Sequence, residues 1–383
     1  MVQRLKTSKT LEMLSLANKI ESSGKPVIHM EVGEPDIPSP ESVKQAAINA
    51  INENFTHYTE VKGLLELRKK ILTYFSRSFS ANSYDPEENI IVTPGAKVGI
   101  LYAISTILNE NDEVIIPTPM WGSYSSMVQY LGAKPVFVDT PNNDSGIDFT
   151  KIQNAITDKT KMIIANYPTN PTSRVLAKDD YKQFTEIITK NDDIFLLADE
   201  IYNELTYNGN LHSFSSFKTI KDKLILVSGF SKAYSMTGYR LGYAIAPKFL
   251  IDKFTALQGN GTTCAASFVQ KAGIIALDER EHILKARKIY EARGKLIYDL
   301  LNEIPGVISN RPQGAFYAYP KIDGAKDDFT MEFLKSKLVA GTPGSSFGPY
   351  YEDFLRLSFA TNETNIEEGV KRLKEFVKEY RRY

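Results

Sequence analysis

The chain has 383 residues, 42% of them hydrophobic and 24% charged, with 46 Lys plus Arg set against 46 Asp plus Glu. That length exceeds one ordinary hydrophobic core and predicts two domains, while zero net charge offers no field of one sign to attract nucleic acid or an anionic membrane. The single cysteine, Cys264, rules out an intrachain disulfide, and with only four histidines no common zinc-finger spacing exists.

The N-terminal stretch MVQRLKTSKTLEMLSLANKI mixes charged with apolar positions and lacks the continuous apolar centre of a cleavable signal. No run of about 18 apolar residues follows, so a cytoplasmic, reduced protein without a membrane partner is expected. Ser39-Pro40 predicts a helix start, a capping side chain followed by proline at the first helical position. Leu64, Leu67, Ile71, Phe75 and Phe79 recur at three- and four-residue steps and predict a helix with one apolar face.

Seven strands are then predicted: NIIVT (89–93), EVIIPTP (113–119), KPVFVD (134–139), KMIIANYP (161–168), IFLLADE (194–200), KLILVSGFS (223–231) and LGYAIAP (241–247). Most are continuous Val/Ile/Leu runs, the pattern of a mostly parallel sheet buried on both faces. The segment after Gly95 is apolar nearly all round (Val98, Ile100, Leu101, Ile104, Ile107, Leu108) and predicts a deeply buried helix. From about residue 280 the character changes. EHILKARKIYEARGKLIYDLLNEI reads as a long charged amphipathic helix, and Thr364 to Glu367 as the capping box of a last one striped by Ile366, Val370, Leu373 and Val377. The basic C-terminal KRLKEFVKEYRRY reads as a solvated helix end. The expected fold class is α/β, with a large domain over 41–281 and a smaller α+β domain formed by 1–40 and 282–383.

In open parallel sheets, ligands bind beyond the carboxyl ends of the strands. Gly95-Ala96-Lys97 follows the first predicted strand, Asn170 the fourth and Ser231-Lys232 the sixth, and Asp199 ends the fifth. Singly, such residues are ordinary caps, turns or solvated side chains. The case rests on the set.

SKAYSMTGYR (231–240) strongly resembles the lysine segment of the class I/II aminotransferases, the fold-type-I pyridoxal phosphate enzymes. VGEPD (32–36), HYTEVKGLLELR (57–68), VTPGAK (92–97), PMWGSY (119–124), NYPTNPT (166–172), ADEIY (198–202) and RLSFA (356–360) match further motifs of that family, in its order. The resemblance implies a seven-stranded, mostly parallel sheet between helices, pyridoxal 5'-phosphate as cofactor, and amino-acid and 2-oxo-acid substrates. By the same resemblance Lys232 is the covalent attachment point and proton carrier. Asp199 pairs with the ring nitrogen, Tyr202 and Asn170 hydrogen-bond the phenolic oxygen, and Trp121 stacks on the ring. Arg240, Ser231 and the backbone of Ala96 and Lys97 hold the phosphate, Arg356 clamps the substrate α-carboxylate, and Gly33 brings a backbone group beside it. Tyr58 is expected to reach the phosphate of a neighbouring subunit, which implies a homodimer with shared sites.

Three departures from the family pattern stand out. Gly229 occupies the position three before the lysine, where relatives often carry serine. Thr169 and Ser173 replace the usual residues flanking the Asn-Pro-Thr core, and 338–348 is short. Lys97 resembles a position that meets a side-chain carboxylate in some aspartate aminotransferases, so aspartate is one expected donor. Phe316, Tyr317 and Tyr319 offer an aromatic pocket instead. The same apparatus also supports carbon–sulfur β-lyases, decarboxylases and ring-forming synthases, so a β-lyase or another fold-type-I pyridoxal phosphate enzyme stays open as the alternative. A dinucleotide-binding or phosphate-loop enzyme is unsupported, because neither G-x-G-x-x-G after a strand nor G-x-x-x-x-G-K-[ST] occurs.

Overall fold

The computed structural model describes residues 9–81, 83–140, 147–209 and 211–380. Residues 1–8 and 381–383, the extremities of the two charged terminal segments, lie outside them. All seven expected strands form, as β1 (Ile90–Thr93), β2 (Glu113–Thr118), β3 (Lys134–Asp139), β4 (Thr160–Asn166), β5 (Phe195–Asp199), β6 (Leu224–Gly229) and β7 (Gly242–Ile245). They make one sheet in the order β1-β7-β6-β5-β4-β2-β3. Only β7 runs antiparallel to its neighbours.

Six of the strands are buried on both faces, as their unbroken apolar runs require, while β3 at the sheet edge is only partly covered. Helices α3 (Leu65–Phe79), α6 (Phe149–Asn154), α7 (Lys178–Lys190) and α9 (Ser267–Ala276) share one core with Ile90, Val92, Ile163 and Leu196. Helix α2 (Glu41–Asn52) joins that layer through Val43 and Ala47. Helices α4 (Ala96–Ile107), α5 (Ser123–Tyr130) and α8 (Lys248–Gly261) cover the opposite face over Ile91, Ile116 and Leu197. Leu101 is the exception to the all-round burial expected of α4 and stays 37% exposed.

A further core gathers Met30, Tyr290, Phe316, Phe333, Leu357 and Leu373 around α10 (Arg280–Asn302), α11 (Phe329–Lys337) and α12 (Glu363–Tyr380). Helix α10 joins the two cores, since Ile283 packs with the sheet and Ala286 onward with the second core. The strand Ile28–His29 pairs in parallel with Val339–Ala340, and α1 (Lys9–Glu21) packs beside it through Met13 and Ala17. The N-terminal segment and the C-terminal third are thereby tied together.

Two expected helix caps are corrected. Pro40 is itself the cap residue of α2 with no side-chain bond, and the Ser39 hydroxyl donates instead to the carbonyl of Ser235 at 2.5 Å. Helix α12 begins one residue before Thr364, and the Asn362 side chain accepts the N–H of Asn365 at 2.8 Å. With Asn362 acting as the cap, Thr364 lies within the first turn and is not the cap residue of a box with Glu367.

Candidate active site

The carboxyl ends of β1, β4, β5 and β6 open onto one cavity of about 380 Å3. Its walls include Gly33, Ala96, Lys97, Trp121, Asn170, Asp199, Tyr202, Ser231, Lys232, Arg240 and Arg356. The sheet topology brings together residues more than 300 positions apart in sequence, such as Gly33 and Arg356. Of the residues to which the resemblance gives a cofactor or substrate contact, Tyr58 alone lies outside the cavity; it is 84% exposed.

At one end of the cavity the first turn of α4 meets Arg240. Gly95 holds φ +89°, and a Cβ there would sit 2.5 Å from Nη2 of Arg240. A Cβ on Gly242 would lie 2.3 Å from the backbone nitrogen of Ala96. Both positions need glycine for the guanidinium and the helix start to approach. Arg240 donates from Nη1 to the Thr237 carbonyl at 2.8 Å. A guanidinium, the Ser231 hydroxyl and the open backbone N–H groups of a helix start together suit a dianion.

At the floor stands Asp199. Its Oδ2 accepts the Tyr124 hydroxyl at 2.6 Å and its Oδ1 the N–H of Ile201 at 3.2 Å. Burial pushes its carboxyl up to about 6, against the lowering effects of Tyr124, Ile201 and the Lys232 ammonium. The PMWGSY motif contains Tyr124 without pointing to this role. Trp121 stands edge-on to Tyr124, their centroids 5.2 Å apart, with the Lys97 ammonium 4.8 Å over the indole. Desolvation and the Arg240 charge lower the Lys97 amine from its ordinary value.

Lys232 donates from Nζ to the Gly33 carbonyl at 2.6 Å and lies 5.9 Å from the Tyr202 ring centroid. Desolvation, followed in size by the raising effect of Glu34 and the lowering effects of Arg356 and Arg240, brings its amine down to about 8. Near physiological pH the ammonium still predominates, but the neutral amine makes up about a tenth to a fifth of this lysine, far more than of an ordinary one. The Tyr202 and Tyr317 hydroxyls are 2.6 Å apart.

Arg356 is buried beyond them. It donates from Nη1 to Asn170 Oδ1 at 3.0 Å, and from Nη2 to the Glu31 carbonyl and to Thr342 Oγ1, the latter at 3.1 Å. Tyr317 and Phe347 flank the guanidinium at 4.8 and 5.1 Å from their centroids. Of the three aromatics raised by the sequence, Tyr317 lines the cavity. Phe316 belongs to the second core, and Tyr319 packs on Phe347 and Phe354. A Cβ on Gly33 would lie 2.0 Å from the Tyr317 hydroxyl oxygen, so glycine is required there by packing.

The sequence departures have physical causes. Gly229 has no room for a side chain, because its Cβ would meet Gly242 Cα at 2.8 Å and the Leu241 carbonyl at 2.9 Å. Ser173 takes φ +57°, a conformation glycine adopts freely, and its hydroxyl accepts the Tyr317 N–H at 3.0 Å.

Fold and cavity together define a sheet-end enzyme site built around a part-buried amine, a buried carboxylate and two guanidinium groups. Residues 25–373 match the family Aminotransferase class I and II. The chain belongs to that family and is a pyridoxal-phosphate-type aminotransferase of fold type I. It is 37% identical to the (5-formylfuran-3-yl)methyl phosphate transaminase of Methanocaldococcus jannaschii, over 96% of each chain. It is 37% identical to the aspartate aminotransferase of Bacillus subtilis, over 99% of this chain and 98% of that one. The crystal structure of the aspartate aminotransferase from Rhizobium meliloti superimposes with a TM-score of 0.92 at 32% identity, covering 99% of both chains. The cavity's donor set is chemically matched to the cofactor this family uses. It supplies an amine for an aldehyde, a carboxylate for a ring nitrogen, and a guanidinium with a helix start for a phosphate.

Proposed function

We propose that the enzyme moves the amino group of an α-amino acid to a 2-oxo acid such as 2-oxoglutarate, in two half-reactions at this one cavity. The observation that carries the reading is Lys232: an amine brought down to about 8, sharing a cavity with Asp199 and Arg356. Pyridoxal phosphate, when bound, supplies an electron-withdrawing ring that stabilises negative charge at the substrate α-carbon. Lys232 holds the cofactor and, once free, carries a proton on Nζ to and from that carbon. Asp199 keeps the ring nitrogen protonated, with Tyr124 fixing the carboxylate from behind. Tyr202 and Asn170 donate toward the phenolic oxygen, and Trp121 covers one ring face. Arg240, Ser231 and the Ala96–Lys97 backbone hold the phosphate. Arg356 receives the α-carboxylate beside Gly33 through its forked donors.

Residues 41–281 form the cofactor domain in this reading, and 1–40 with 282–383 the smaller one. A homodimer in which Tyr58 enters the partner's cavity is supported by the exposure of that side chain. Aspartate is the proposed donor. Its support is Lys97, exposed above Trp121 at a distance that leaves the ammonium able to turn toward a second carboxylate.

Purified enzyme is expected to show a visible absorption band that bleaches with an amino donor and returns with 2-oxoglutarate. Lys232→Ala removes both the band and turnover, by at least about a thousandfold for a group acting as nucleophile and base. Lys97→Ala lowers kcat/KM for aspartate more than for phenylalanine, and equal losses remove aspartate from the proposal. Pyruvate formed from cysteine without any oxo acid means a β-lyase instead.

A further inference from the structure

Arg356 presents a problem of charge. It is 3% exposed, and each group it donates to is neutral: the Asn170 side chain, the Glu31 carbonyl and the Thr342 hydroxyl. Its Nε has no acceptor among the described residues. Desolvation lowers its pKa, against the opposing effects of Tyr317, Tyr202 and then Glu31, the one carboxylate among them. A buried cation without a counter-charge is strongly destabilising, whereas a directly paired one has its donor edge already taken.

Glu31 resolves both demands. It is fully buried, and only its backbone carbonyl touches the guanidinium. The carboxylate turns to His29, whose Nδ1 lies 2.8 Å from Oε1, and its Oε2 has no hydrogen-bond partner among the described residues. His29 in turn sits between this carboxylate and Glu21, the last residue of α1, at 3.5 Å. Burial opposes protonation of the imidazole, but the two carboxylates hold it above its ordinary value.

We propose that Glu31 sets the affinity of Arg356 for carboxylates, as a counter-charge that balances the guanidinium without occupying it, and that His29 screens this charge. The inference rests on Arg356 being the α-carboxylate clamp. Glu31 balances the buried cation while the site is empty and repels the bound carboxylate moderately once it is filled. The substrate is thereby held loosely enough to leave. Glu31 is a positioning and charge-balancing residue; it does not touch the substrate.

Simple damage to the pocket weakens binding, whereas removal of this repulsion strengthens it, so the sign of the effect is diagnostic. Holoenzyme is titrated with two unreactive carboxylates, maleate and 3-phenylpropionate, and the change in visible absorption gives Kd. Glu31→Gln preserves shape and removes the charge. It is expected to lower Kd for both ligands about tenfold, the equivalent of about 1.4 kcal/mol of charge interaction. It should also lower KM and kcat together as release slows. Glu31→Asp keeps the charge and binds like the parent. His29→Gln removes the screen and raises Kd severalfold, an arm that still decides the matter if Glu31→Gln does not fold. An unchanged or higher Kd in a folded Glu31→Gln protein overturns the inference, as does an unchanged Kd in His29→Gln. Arg356→Gln in the same titration distinguishes the underlying reading: if it binds both carboxylates like the parent, the clamp itself is wrong and the inference falls with it.

Discussion

Asp199 is caught between burial, which favours the neutral acid, and its proposed role, which needs the carboxylate. The Tyr124 hydroxyl at 2.6 Å, the Ile201 N–H and, to a smaller degree, the Lys232 ammonium keep its carboxyl near 6 instead of higher. A hydrogen bond to a charged group contributes about 1.5–3 kcal/mol, or about one to two pH units at this carboxyl. Tyr124→Phe deletes the donor, so the acid must lose its proton at a higher pH. Cofactor uptake by the apoprotein, which requires the carboxylate, should then rise with pH through a midpoint displaced upward from the parent's. Fluorescence or absorption titration across pH 5 to about 9 reads that edge directly. An edge that stays in place removes Tyr124 from the site's chemistry.

At the scale of the element, the anion site proposed at the start of α4 depends on the turn before it being glycine. Gly95 adopts φ +89° and leaves room for the Arg240 guanidinium, and alanine would both strain the backbone and push Nη2 away. Gly95→Ala is expected to cost about 1–3 kcal/mol of stability and to weaken cofactor binding tenfold or more. Inorganic phosphate should lose its ability to compete with the cofactor in the same protein, and intact competition would mean that Arg240 binds elsewhere. Legibility in the sequence followed the same physical lines. The strands of the main sheet could be read because all but the edge strand β3 are apolar runs buried on both faces, and β3 still carries the β-branched Val136 and Val138 around Phe137. The two-residue strands Ile28–His29, Tyr317–Ala318 and Thr342–Pro343 could not, since two residues carry no period. The helix starts at Ser39 and Thr364 were misread because a local capping motif says nothing about a competing acceptor, Ser235, or a better cap, Asn362. Tyr124 and Glu31 escaped notice for a related reason: each acts through a residue distant in the chain, a relation that only tertiary structure creates.

At the scale of the whole molecule, every residue to which the resemblance gives a cofactor or substrate contact, except Tyr58, lines one cavity. Tyr58 lies on the segment between α2 and α3, 84% exposed, where an isolated chain gives a large aromatic side chain little to pack on. If a second copy supplies this tyrosine to the phosphate end of the cavity, cofactor retention becomes a property of the dimer. The rate at which holoenzyme loses its visible band should then increase on dilution, in step with the monomer fraction measured by sedimentation. Tyr58→Ala should lose cofactor faster at every concentration, by about tenfold for one lost hydrogen bond to a charged group, and with little further dependence on dilution. Its dimer mass should be unchanged, because one exposed side chain does not hold an interface. A parent enzyme that dissociates into monomers while retaining its cofactor would place the complete site within one chain and leave Tyr58 a surface residue.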